Sequence, residues 1–119
     1  MKKLAARLHH ACVNWTRRLR PRPRARLTQV VVLRGGRNEL PTTLNPKRIY
    51  QLGDPGKWAV LTCPCGRGHP IELNLAHPDR ARWTLTSNRD GLPSLAPSID
   101  FKGDRRCHFW LRDGRVRWA

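Results

Sequence analysis

Two cysteines one residue apart, followed by two glycines and a histidine, restrict this chain more than any other stretch: Cys63-Pro64-Cys65-Gly66-Arg67-Gly68-His69. Glycine frees the backbone to turn its N–H groups toward sulfur, so the segment resembles a metal knuckle. Zinc takes a tetrahedral shell of Cys and His ligands. The usual knuckle separates its cysteines by two residues, whereas this one separates them by one. Further ligands must come from elsewhere in the chain. Cys107 and His108 stand just before the last hairpin, and His69 ends the knuckle. On a regular strand adjacent Cys107 and His108 point to opposite faces, so both can hold one ion only if the backbone is irregular there. The expected set is Cys63, Cys65 and Cys107, with His69 or His108 as the fourth ligand. The competing reading makes the thiols buried apolar groups. Cys12 lies apart from this set.

A chain of 119 residues is a single-domain length with room for one modest core. Its 10 prolines and 9 glycines imply many turns, and only 39% of its residues are apolar. A small β domain of this composition often needs a staple, which a metal provides. No run reaches the roughly 20 apolar residues that span a bilayer. The N-terminus also lacks the uninterrupted apolar segment of a secretory signal. The chain therefore reads as cytoplasmic, where thiols stay reduced and close cysteine pairs favour metal over disulfide.

Residues 1–20 read as a short basic helix, with Leu4, Leu8, Cys12, Trp15 and Leu19 on one stripe and Pro21 and Pro23 beyond its end. An alternating Arg/Pro linker completes a basic unit over 1–26. Residues 27–119 read as a metal-binding, mainly β domain, either a small antiparallel sheet or a partly open barrel. Expected strands are Thr28–Leu33, Trp58–Thr62, Ile71–Leu75, Arg82–Ser87, His108–Leu111 and Arg115–Trp118, with Gly35–Gly36 and Asp90–Gly91 as turns. Asp113–Gly114 between the last two strands is a two-residue hairpin signal.

The charge is lopsided, with 24 Lys and Arg against 8 Asp and Glu. Such a field attracts polyanions without choosing among them. Arg17, Arg18 and Arg20 in the helix, with Arg112, Arg115 and Arg117 near Phe109 and Trp110, fit a nucleic-acid contact in which bases stack on aromatics. They fit a solvated basic face equally well. The N-terminal helix is equally suited to recruiting a partner, as in an adaptor.

A second group surrounds Ser98. In Leu95-Ala96-Pro97-Ser98-Ile99-Asp100, an extended backbone puts Ser98 and Asp100 on one face, and His108 follows eight residues later. A serine nucleophile needs an adjacent base, and the base needs an orienting group. Residue types alone make this combination commonplace.

Cys63-Pro64-Cys65-Gly66 with His69, the strand Ile71-Glu72-Leu73-Asn74-Leu75, then Ala96-Pro97-Ser98-Ile99 and finally His108-Phe109-Trp110-Leu111-Arg112-Asp113-Gly114 resemble a family of small bacterial proteins. Its members accompany ubiquitin-like proteins and their activating and conjugating enzymes in bacterial ubiquitination-like (Bub) operons. The likeness spans residues 58–118. It implies a peptidase that trims or removes a ubiquitin-like protein in a bacterial conjugation or antiviral defence pathway. It also implies that protein or its conjugating machinery as partner, while the cysteine knuckle itself supplies the expectation of one structural zinc ion as cofactor. His108 would be the general base and Ser98 or Cys107 the nucleophile. The family pattern reads Cys-Pro-Cys-Gly-Cys-Gly, whereas this chain has Arg67 at the third cysteine. It also has Arg105-Arg106-Cys107 where the family has Cys-X-Ser. The alternative function is a non-enzymatic, zinc-bound nucleic-acid-binding module or adaptor.

Overall fold

A computed structural model describes residues 26–119 of the chain. The basic helix and linker expected over residues 1–26, with Arg17, Arg18 and Arg20, lie outside these residues except for Arg26. Eight strands, β1 (Gln29–Leu33), β2 (Arg48–Leu52), β3 (Trp58–Thr62), β4 (Pro70–Asn74), β5 (Thr84–Ser87), β6 (Pro93–Lys102), β7 (Arg106–Arg112) and β8 (Arg115–Trp118), form two sheets. The first has the order β1-β2-β3-β4 and the second β5-β6-β7-β8. The fold is mainly β and unclosed, as expected, with its strands divided between two four-stranded sheets. Among the described residues no helix is long and apolar enough to cross a membrane.

The second sheet is an antiparallel meander, while β1 joins β2 in parallel. A parallel pair needs a crossover of about a dozen residues, which the segment 34–47 supplies. It carries one 3₁₀ turn, Gly36–Glu39, and lays Leu40 and Leu44 against Tyr50, Leu52 and Val60 on the outer face of the first sheet. Arg37 of that turn pairs with Glu72 on β4. The covering segment explains why β2 has no polar–apolar alternation to read: Ile49 faces the main core while Tyr50 and Leu52 are buried on the opposite face.

Between the sheets lies one core. Period-two side chains from the first sheet (Ile49, Ala59, Leu61, Ile71, Leu73) meet Leu95, Ile99, Phe109, Leu111 and Val116 from the second. Leu27 joins them and is 1% exposed. Its N–H donates to the Gly114 carbonyl at 3.0 Å, while the Thr28 N–H donates to Lys47, so residues 26–28 tie the two sheets together. Asp113 and Gly114 have φ of 48° and 77°, the left-handed pair that a two-residue hairpin requires. A Cβ at Gly114 would lie 2.8 Å from the Leu27 carbonyl oxygen, so both backbone and packing demand glycine there.

The link from β4 to β5 turns on a buried, fully used amide. Asn74 Nδ2 donates to the carbonyls of His77 and Ala81, and its Oδ1 accepts from the N–H groups of Ala76 and His77. One side chain thus shapes the segment that carries the chain from the first sheet to the second.

Candidate functional site

The knuckle is the turn between β3 and β4. The Cys63 N–H donates to the His69 carbonyl at 2.9 Å, closing the loop. Gly66 and Gly68 take φ of 87° and 82°, a region that side chains disfavour even though the space around both is open. This fold-back sets Cys65 Sγ 3.2 Å from His69 Nε2. Cys107 Sγ arrives from β7 to 3.9 Å of the same nitrogen.

The ligand atoms of Cys63, Cys65, His69 and Cys107 all lie within 4.8 Å of one another. Tetrahedral zinc with its usual Zn–S and Zn–N lengths puts sulfur and nitrogen roughly 3.5 Å apart. The two sulfur–nitrogen distances given above fall on either side of that value. Burial pushes the Cys63 thiol up to about 12, with the neighbouring Cys65 and Cys107 thiols adding to the rise. A cation among these sulfurs would oppose that cost and favour thiolates. The His69 ring stacks on Phe101 at 4.5 Å, and its buried Nδ1 has no hydrogen-bond partner. A Cys₃His donor set of this compactness fits a metal ion. Arg67, at the position of the family's third cysteine, is exposed and stands outside this group of four.

His108 is not in the group. The pleat of β7 buries Cys107, Phe109 and Leu111 on one side and turns His108, Trp110 and Arg112 to the other. The sequence left His69 and His108 as alternatives for the fourth ligand position. In the structure His69 lies with the sulfurs, and His108 Nε2 lies 3.0 Å from Ser98 Oγ. Cys107, the alternative nucleophile, faces away from that ring into the core.

Ser98 reaches His108 through an irregularity in β6. Leu95 pairs with Leu111 and Ile99 with Phe109, so the segment 96–98 bulges opposite Trp110. Pro97 has no N–H to give a ladder, and bulges re-aim side chains in this way. The Trp83 indole N–H donates to the Ser98 carbonyl at 3.2 Å and holds the bulged strand. Trp83 falls within the expected strand Arg82–Ser87, and nothing local in the sequence signals this contact, because the partner lies 15 residues away.

Asp100 faces His108 directly across the β6–β7 ladder. Its carboxylate accepts from Arg106 Nε and Nη2 at 2.9 and 2.8 Å, and that guanidinium holds the carboxyl below the usual carboxylate range. The orienting acid that the sequence brought beside Ser98 is therefore hydrogen-bonded to arginine and acts on His108 through charge, while the hydroxyl and imidazole meet directly. Chemically, a hydroxyl hydrogen-bonded to a half-buried imidazole is the arrangement that general-base activation needs.

Beyond this pair, the outer face of β7 and β8 carries exposed Arg112, Arg115 and Arg117 around Trp110. Fold and site together describe a small two-sheet β protein with a candidate metal centre on its inner side and a serine–histidine pair on its outer side. The chain belongs to the BubE family, described as bacterial ubiquitination-like system serine protease, whose model matches residues 37–119. The resemblance carried by residues 58–118 thus holds and extends toward the N-terminus. No curated protein and no solved structure matches the chain.

Proposed function

We propose that this protein is a serine peptidase that cleaves a ubiquitin-like protein from an extension or a conjugate, with a structural zinc ion bound by Cys63, Cys65, His69 and Cys107. The observation that carries the reading is the 3.0 Å contact between Ser98 Oγ and His108 Nε2, set beside membership of a family described as serine proteases.

In this reading His108 Nε2 takes the Ser98 hydroxyl proton as Oγ attacks the carbonyl carbon of the scissile bond. The C–N bond breaks, and the imidazolium returns the proton to the departing amine. Water, deprotonated by the same nitrogen, then hydrolyses the acyl-serine and regenerates Ser98. The zinc ion takes no part in these steps; its chemistry would be to hold four side chains together and staple β7 to the knuckle.

The test is cleavage of a ubiquitin-like protein fused to a short C-terminal extension. The parent protein is expected to release the extension, while Ser98→Ala and His108→Ala each lose at least about a thousandfold in rate. Undiminished cleavage by Ser98→Ala would refute the assignment.

A further inference from the structure

The outward row of β7 runs from His108 through Trp110 to Arg112, and β8 places Arg117 opposite Trp110 and Arg115 opposite Arg112. Trp110 is 40% exposed, and its ring centroid lies 5.5 Å from that of His108. Arg112 and Arg115 are like charges directly across a ladder, an arrangement that costs the folded protein stability. Among the described residues no ion pair relieves Arg112, Arg115 or Arg117: the three salt bridges join Arg34 to Asp54, Arg37 to Glu72 and Arg106 to Asp100. Asp113, the nearest acid in the β7–β8 turn, accepts instead from Asn88.

The geometry points to this strip, Trp110 with Arg112, Arg115 and Arg117, as the docking surface for an acidic segment of the polypeptide substrate beside the bond that Ser98 attacks. The inference rests on the peptidase reading. Two strand residues advance about 6.7 Å. A substrate laid along β7 therefore brings a side chain roughly two residues from the cleaved bond over the indole. Arg117 lies beside the indole, and side chains roughly four residues away reach Arg112 and Arg115, the planar forks of all three matching carboxylates in a bidentate manner. A nucleic-acid strand fits less well, because such surfaces stack successive bases on successive aromatics. Trp110 is the only aromatic among the large hydrophobic residues exposed in the described part of the chain.

The experiment uses the full chain and two fluorescent peptides of identical length, one with glutamates and one with glutamines four residues from a central bond. The glutamate peptide is expected to bind about tenfold more tightly at low salt, with the gap closing as salt rises. A double charge reversal, Arg112→Glu with Arg117→Glu, is expected to abolish the preference, and Arg112→Lys with Arg117→Lys to retain most of it. In cleavage of a ubiquitin-like fusion carrying the same acidic stretch, the reversal is expected to raise KM about tenfold and leave kcat within about twofold. Equal binding of the two peptides by the parent protein overturns the proposal. So does displacement of the glutamate peptide by a single-stranded oligonucleotide at far lower concentration than by unlabelled peptide, which assigns the strip to nucleic acid. Should Ser98→Ala still cleave while the charge preference persists and disappears on reversal, the docking surface stands and the assignment of Ser98 as nucleophile falls.

Discussion

His108 presents Nε2 to Ser98 on the outer side of β7, while Cys107, its neighbour in the chain, presents Sγ to His69 on the inner side. A single step along a pleated strand therefore separates the candidate base from the candidate metal centre. Whatever holds Cys107 also fixes the backbone from which His108 projects. In small domains a structural metal contributes folding free energy directly.

Metal content is accordingly expected to govern both stability and activity. Purified protein is expected to carry close to one zinc per chain. Cys63→Ser, Cys65→Ser and Cys107→Ser are expected to lose it, at a cost on the order of 5 kcal/mol, comparable with a small domain's whole stability. Elemental analysis paired with thermal unfolding reads both effects. Well-folded, metal-free parent protein would rule out the stapling role.

Acid is expected to weaken the metal site. Burial raises the metal-free Cys63 thiol to about 12, so the apo form keeps a proton that metal binding must release. The apo state thus holds more protons than the loaded state, and affinity rises with pH and falls with acid. Chelator-competition titrations between about pH 6 and about pH 8 are expected to show this slope. An affinity flat across that range would contradict the burial-driven rise.

Asn74→Ala is expected to destabilise the protein by about 2 kcal/mol, because it removes a buried side chain that satisfies two backbone carbonyls and two backbone N–H groups. Urea unfolding measures the loss. A change under about 0.5 kcal/mol would mean that the segment between the sheets does not depend on this side chain.

At the β7–β8 turn, Gly114→Ala places a Cβ 2.8 Å from the Leu27 carbonyl in a left-handed backbone. The expected cost is about 2–3 kcal/mol, with faster proteolysis in the segment around Leu27. Unchanged stability and unchanged cleavage there would show that the N-terminal tie is unimportant.

Much of this fold was legible because its signals are local. The Asp113–Gly114 hairpin, the strand Trp58–Thr62 and the knuckle each declare themselves within a few residues. The strand β2 did not, since its two faces are buried by different parts of the chain. The parallel pairing of β1 with β2 was equally hidden, because register there is set by a crossover and not by a turn. At the site, the residue types were visible, but their partners were not. Alternation separates Cys107 from His108 and could be reasoned from sequence. Which histidine meets the sulfurs depends on how the knuckle folds back, with the Cys63 N–H on the His69 carbonyl. That Arg106 engages Asp100 depends on register across β6 and β7.

The central claim is that Ser98 is a nucleophile activated by His108, and covalent trapping tests it most directly. The full chain is treated with a fluorophosphonate that captures activated serines, and the modified residue is located by peptide mass spectrometry. Labelling is expected on Ser98, and it is expected to be lost in His108→Ala protein whose metal content and thermal stability match the parent's. Labelling confined to another serine, or equal labelling of Ser98 with and without His108, would contradict the account.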